Sequence, residues 1–122
     1  DGEKNPYAEQ RITLSQTIRD AISAGAIGYL NISVYLAAHT DSDSPSVKVY
    51  QVTTVGGSGT QCGGTLTTDN EDWTQRTNYC SVNTSVKELR VRLDGENDNG
   101  GACNAYWDDI QVYFSAKLPE LL

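Results

Sequence analysis

The residues best placed to do chemistry in this chain are two adjacent aspartates, Asp108 and Asp109. Both lie in the run 105–114, whose aromatic and β-branched residues are typical of a β-strand. Side chains alternate along a strand, so the two carboxylates would point to opposite faces and could not converge on one substrate. The spacing therefore excludes them as a paired catalytic acid and base, which must reach the same reacting group.

Asp108 is predicted to point inward. In a continuous strand it shares its face with four apolar or aromatic side chains: Tyr106, Ile110, Val112 and Phe114. A carboxylate in such surroundings is costly to bury unless a cation or several N–H donors compensate its charge. The pattern indicates a structural or metal-binding role for Asp108.

Few other residues suggest catalysis. His39 is the only histidine, and no triad, histidine-based zinc site or Cys–His pair can be assembled around it. The Gly-rich stretch 56–59 lacks the lysine and the following helix of a phosphate-binding loop. We therefore predict that the protein is not an enzyme.

The chain is acidic, with 122 residues, a formal net charge of -7 and a pI of about 4.4. This charge disfavours nucleic acid and anionic membranes as partners, and no apolar run approaches the roughly 20 residues that span a bilayer. The chain starts at Asp1 and contains no methionine, so we expect a processed product or a segment of a longer protein. Three cysteines and two N-x-S sequons, at Asn31 and Asn83, predict a secreted, extracellular glycoprotein.

The elements that would position these residues are almost all strands. Residues 19–27 could form one helical turn, but Gly25 and Gly28 favour a simple connection. In the run 29–37 the inward side chains are Leu30, Ile32, Val34 and Leu36. Further strands are predicted at 11–18, 47–55, 73–82, 86–93 and 105–114. The predicted fold is an all-β, antiparallel two-sheet β-sandwich.

Several short segments follow one another in a familiar order: 16–18, a loop with Gly25, 29–34, Trp73 at the start of a strand, 89–93 and 106–110. In this order the chain resembles the galactose-binding-like β-jelly-roll of carbohydrate-binding modules. The resemblance covers about residues 8–114, and we predict one jelly-roll domain over residues 1–114 with a C-terminal connector or tail at 115–122. It also implies non-catalytic work and a structural calcium near the start of the last strand, with Asp108 as a ligand.

The chain departs from this family at both ends. Residues 1–6 are too short and polar to form the additional first strand with which such modules begin, so the sandwich is expected to lack an edge element. The tail carries three apolar residues, Leu118, Leu121 and Leu122. A missing strand and a spare apolar tail predict strand exchange between neighbouring copies. The alternative is a segment of a tandem-domain protein that ends in a linker.

The cysteine pairing is predicted from this topology. Cys62 lies in the loop before strand 73–82 and Cys103 in the loop after strand 86–93, so antiparallel pairing of the two strands places both loops at one end. Cys80 would lie near the opposite end. We predict a Cys62–Cys103 disulfide and a buried free thiol at Cys80. Pairing of Cys80 with either loop, or between two chains, is the alternative.

Sugar binding would require exposed aromatic faces. The candidates are Trp107, predicted to face away from the core, together with Tyr29 and Tyr35. Two functions follow: a glycosylated structural subunit that assembles head to tail into an extracellular fibre, or a carbohydrate-binding module of a secreted glycosidase or adhesin. The corresponding partners are copies of the chain itself, neighbouring domains of the same chain, or a polysaccharide.

Overall fold

The computed structural model describes residues 6–40, 43–97 and 103–116. The elements in chain order are β1 (Tyr7–Thr13), α1 (Gln16–Ser23), β2 (Ile27–Ala38), β3 (Asp43–Val52), β4 (Gly59–Gln61), β5 (Leu66–Thr67), β6 (Thr74–Ser81), β7 (Glu88–Asn97) and β8 (Ala105–Ala116). No helix in the described ranges is long and apolar enough to cross a membrane.

The strands form two antiparallel sheets that pack face to face. The larger sheet has the order β1-β7-β3-β4, with β5 also paired to β3, and the smaller has the order β6-β2-β8. The predicted all-β sandwich is confirmed.

The core lies between β2 and β3, as the alternation of their side chains requires. In β2 the predicted inward residues Leu30, Ile32, Val34 and Leu36 are all buried. They pack in one cluster with residues of the larger sheet, among them Val47 and Val49 of β3. Period-two alternation therefore determines which face of each central strand is buried.

A short helix replaces the simple connection expected after the first strand. The hydroxyl oxygen of Ser15 accepts a hydrogen bond from the N–H of Ile18 at 3.3 Å and caps the start of α1. Ile22 is its buried residue, and Gly25 follows with a φ of 82°, where a residue without Cβ is favoured. The helix connects β1 to β2 and packs Ile22 into the core.

A β-bulge interrupts β8 and changes the orientation of its first half. Tyr35 pairs with Asp108 and Ser33 with Gln111, so β8 has one more residue than β2 in this interval. Asp109 lies in the bulge with a φ of 48°. The prediction that Asp108 points inward is wrong, because the extra residue reverses the alternation: Asp108 is exposed.

The predicted Cys62–Cys103 disulfide is also wrong. The bond joins Cys62 to Cys80, with a Cα–Cα distance of 5.3 Å, and the free buried thiol is Cys103. The reason is the hairpin between β3 and β4, which turns the chain back along β3, so that the N–H of Cys62 donates to the Val49 carbonyl. Cys62 therefore reaches the interior beside β6 and does not remain in a loop at the end of the sandwich.

The two lateral sides of the sandwich differ. On the β4–β6 side the sheets are joined by the disulfide and by side-chain bonds from β6, including Asn78 Nδ2 to the Gly64 carbonyl at 2.7 Å. On the opposite side β1 and β8 are the edge strands, and a groove opens between them. One side is therefore covalently closed and the other is open.

Candidate functional site

The outer face of the smaller sheet is built from alternate residues of its three strands. Its outward positions are Gln75, Thr77, Tyr79 and Ser81 on β6, Tyr29, Asn31, Ser33 and Tyr35 on β2, and Asp108, Gln111, Tyr113 and Ser115 on β8. We call these twelve positions the tyrosine face. Asp108 is the one acidic or basic side chain among them. The face therefore presents aromatic rings, amides and hydroxyls with little charge.

Three tyrosines cluster near one end of this face. Tyr79 on β6 and Tyr113 on β8 lie on either side of Asn31, which pairs with both. Tyr29 meets Tyr79 edge to face, with ring centroids 6.1 Å apart and an interplanar angle of 76°. Tyr79 is 65% exposed and Tyr113 is 51% exposed, so each ring offers a surface to solvent.

Asn31 fixes the centre of the cluster. Its Nδ2 donates to the Ser115 hydroxyl oxygen at 2.9 Å and contacts the Tyr113 carbonyl oxygen at 3.4 Å. The side chain is half-buried, so these bonds are partly shielded from water. The amide thereby ties β2 to β8 and holds the floor between the rings.

Two shallow depressions meet at this point. One, of about 500 Å³, is lined by Tyr29, Asn31, Tyr79, Ser115 and Ala116. The other, of about 440 Å³, is lined by Asn31, Ile32, Thr77, Asn78, Tyr79 and Tyr113. Tyr79 and Asn31 belong to both, so Tyr79 separates two adjoining hollows.

Amides and hydroxyls continue the face beyond the tyrosines. Gln75 Nε2 donates to the Ser33 hydroxyl oxygen at 3.2 Å, and Gln111 Nε2 donates to Asp109 Oδ1 at 3.0 Å. These bonds orient side chains that also remain accessible to solvent. The surface can therefore offer hydrogen bonds to a polar ligand that lies along the sheet.

Comparisons with known proteins bear on the fold. No protein-family model matches the chain, and no curated protein matches it significantly. Among solved structures, twelve chains match. One is described as "CBM4 structure and function"; it is 22% identical and superposes on 89% of this chain with a TM-score of 0.56. The fold is that of a carbohydrate-binding-module-like β-jelly-roll. This jelly roll spans 61% of the length of the matched structure.

The structure places the predicted sugar-binding residues differently. Tyr29 and Tyr35 lie on the tyrosine face as expected, but Trp107 does not. Its indole is half-buried against the core, and Nε1 donates to the Ser46 carbonyl at 3.1 Å. The bulge that turns Asp108 outward turns Trp107 inward, so the prediction that Trp107 faces away from the core is wrong.

Tyr79 and Tyr113 were not among the predicted sugar-binding residues. Period two in the strand that contains Tyr79 places it with Gln75 and Thr77, and the same alternation places Tyr113 with Gln111. The alternation in β6 and β8 therefore indicates which face each tyrosine occupies. It does not indicate the strand pairing that brings both rings beside Asn31.

The calcium role of Asp108 stays a prediction. Asp108 Oδ1 accepts a hydrogen bond from the Asp109 N–H at 2.9 Å, which supports the bulge. In the described part of the chain, no group of three or more His, Cys, Asp or Glu side chains could hold a metal ion. Asp108 thus forms a hydrogen bond to the backbone, and calcium binding by Asp108 requires an experimental test.

The two sequons occupy unlike positions. Asn83 is exposed in the turn between β6 and β7, where its Oδ1 accepts from the Ser85 N–H at 2.8 Å. The turn is anchored by Gln51, whose Oε1 accepts from the Asn83 N–H at 2.8 Å. Asn31, in contrast, lies in the middle of the sheet. The assembly residues Leu118, Leu121 and Leu122 lie outside the described residues.

Proposed function

We propose that the protein is a non-catalytic, secreted carbohydrate-binding module and that the tyrosine face is its binding surface. The observation that carries the proposal is the cluster of Tyr29, Tyr79 and Tyr113 around Asn31. The likeness to a solved carbohydrate-binding module supports the fold that this function needs.

The chemistry of the face suits a sugar chain. Tyrosine rings cover the C–H faces of pyranose rings, and neighbouring amides and hydroxyls exchange hydrogen bonds with sugar hydroxyls. Two hollows divided by Tyr79 match a ligand of repeated units better than a single small molecule. A neutral polysaccharide also avoids the repulsion that a polyanion would meet at a net charge of -7.

Affinity electrophoresis against soluble polysaccharides, followed by calorimetry on any that retard the protein, tests this function. Tyr79→Ala and Tyr113→Ala should each weaken binding about tenfold, equivalent to roughly 1.4 kcal/mol. Tyr7→Ala is the matched control, because Tyr7 is 66% exposed but lies on the other sheet. Equal weakening by the control, or no retardation on any polysaccharide, would contradict the proposal.

A second function, a structural subunit that assembles head to tail into an extracellular fibre, is favoured by a separate observation. The ends of the described chain lie at opposite ends of the sandwich. Pro6, the first described residue, accepts a hydrogen bond from the Gly95 N–H, and Trp107 at the start of β8 donates to Ser46 in the same region. Ala116, the last described residue, pairs with Ile27 at the far end of the sandwich. Linear assembly through the chain ends is therefore geometrically direct. Electron microscopy of the full-length protein tests it: filaments support this function and dispersed particles contradict it.

A further inference from the structure

The open side of the sandwich is an apolar groove between β1 and β8. It has a volume of about 440 Å³, and its apolar lining comprises Ala8 and Ile12 of β1, Val91 and Leu93 of β7, and Ile110 and Val112 of β8. Ile12 is 37% exposed and Ile110 is 38% exposed, although both point toward a region that would be core in a closed sandwich. The groove therefore exposes apolar side chains of a kind that are buried in the rest of the sandwich.

The backbone of β8 is available along the same groove. Within the described ranges β8 pairs with β2 and with no other strand. Alternate residues of an edge strand direct their N–H and C=O groups away from the sheet, where they can pair with an added strand. The bulge at Asp109 ends this regular edge, so the portion available for pairing runs from Gln111 to Ala116.

We propose that residues 117–122 of a second copy of this chain add to the free edge of β8 as a donor strand and fill the groove. This inference rests on the head-to-tail assembly described above and identifies its acceptor site. The donor segment carries three apolar side chains, Leu118, Leu121 and Leu122. In an extended strand, Leu118 and Leu122 share one face and can cover the apolar lining.

In the proposed assembly the donor strand comes from another copy, and each copy donates one strand and accepts one. Such a contact is heterologous and propagates into a chain of subunits.

Two residues of the donor set its register. Pro119 has no N–H, so it must lie where its backbone points away from β8. This places the N–H and C=O groups of 118, 120 and 122 toward β8. Glu120 then shares the face of Leu118 and Leu122, and its charge opposes docking. Glu120→Leu should therefore strengthen the assembly, whereas Leu121→Asp should affect it less than Leu118→Asp.

The test is complementation between two variants, measured by sedimentation velocity over a concentration series. Ile110→Asp retains the donor and loses the acceptor, and a chain truncated after Ala116 retains the acceptor and loses the donor. Each should remain monomeric alone, and their mixture should form a 1:1 heterodimer. Val55→Asp is the control, because Val55 is 57% exposed and lies away from the groove; it should assemble as the unaltered chain does.

The possible results separate the two levels of the proposal. The substitution Leu118→Asp should weaken association at least about tenfold, as expected when the burial of one leucine is lost. A full-length chain that stays monomeric at all concentrations contradicts head-to-tail assembly itself. A truncated chain that still assembles leaves assembly intact but overturns residues 117–122 as the donor. A mixture of the two variants that remains monomeric overturns the β8 groove as the acceptor.

Discussion

Cys62 and Cys80 join the two sheets along one lateral side of the sandwich, with their Cα atoms 5.3 Å apart. Cys62 follows β4, and Cys80 lies on β6, the edge strand of the other sheet. The covalent bond therefore closes the side opposite the groove between β1 and β8. The apolar groove therefore lies on the side that the disulfide does not join.

Removal of this bond should destabilise the fold. The disulfide spans a sequence separation of 18, and a loop of that size stabilises a protein by about 3 kcal/mol in the chain-entropy model. The double substitution Cys62→Ser and Cys80→Ser should lower the free energy of unfolding by roughly that amount in a urea titration. Cys103→Ser is the control and should leave the disulfide intact in a non-reducing peptide map. A map that shows Cys103 in a disulfide would contradict this structure.

The free thiol of Cys103 should make stability depend on alkaline pH. Burial raises the pKa of Cys103 above its ordinary value of 9.0, and the nearby Asp43 carboxylate raises it further. The folded state thus favours the neutral thiol. The contribution of the neutral thiol to stability is fully present below the pKa that Cys103 has in the unfolded chain. It is lost as pH rises through the pKa that Cys103 has in the folded protein.

Urea titrations between pH 7 and 11 measure this effect. The unaltered chain should lose more stability above pH 9 than Cys103→Ala, because only the former carries the thiol. Identical pH profiles for the two proteins would show that the thiol ionises equally well in both states. Slow alkylation of the native chain, accelerated in denaturant, is the accompanying expectation.

The bulge in β8 should respond to changes at Asp109. A φ of 48° is tolerated by aspartate but is costly for a β-branched residue. Asp109→Val should therefore lower the free energy of unfolding by about 1 to 2 kcal/mol, whereas Asp109→Gly should be close to neutral. Thermal and urea unfolding measure both. A valine variant as stable as the glycine variant would mean that the backbone at this position is extended.

The sequence predicts the central strands well and the edges poorly, for a physical reason. In β2 the side chains from Leu30 to Leu36 alternate without interruption, so burial follows from period two alone. In β8 the same rule gives the wrong face for residues before the bulge, because the sequence around Asp108 and Asp109 is also compatible with a continuous strand. Only pairing with Ser33 and Tyr35 reveals the extra residue.

The candidate site shows the same limit. Tyr29 and Tyr35 follow from the alternation of one strand, but the cluster needs Tyr79 and Tyr113 from two other strands. Likewise, Cys62 is brought to Cys80 by a hairpin whose turn is not specified by hydrophobic pattern. Contacts that depend on register between distant strands are set by packing of the whole sandwich.

The calcium hypothesis for Asp108 has a direct thermal test. If calcium binds there, chelation should lower the melting temperature of the unaltered chain and leave that of Asp108→Ala unchanged. Asp108→Asn serves as the control, because it keeps an oxygen acceptor for the Asp109 N–H and loses the charge. Equal melting of the unaltered chain with and without chelator would remove calcium from the description of this protein.

The last prediction is that Asn83, and not Asn31, carries a glycan when the chain is secreted from a eukaryotic cell. Asn31 pairs with Tyr79 on one side and Tyr113 on the other, and its Nδ2, the atom that would be glycosylated, donates to the Ser115 hydroxyl. A sugar there would break this bond and displace the rings, whereas Asn83 is exposed in a turn. Mass spectrometry of peptides after enzymatic glycan release should show deamidation at Asn83 alone, and Asn83→Gln should be secreted without glycan. A glycan at Asn31 would cover the tyrosine face, so its detection would contradict both this prediction and the proposed binding surface.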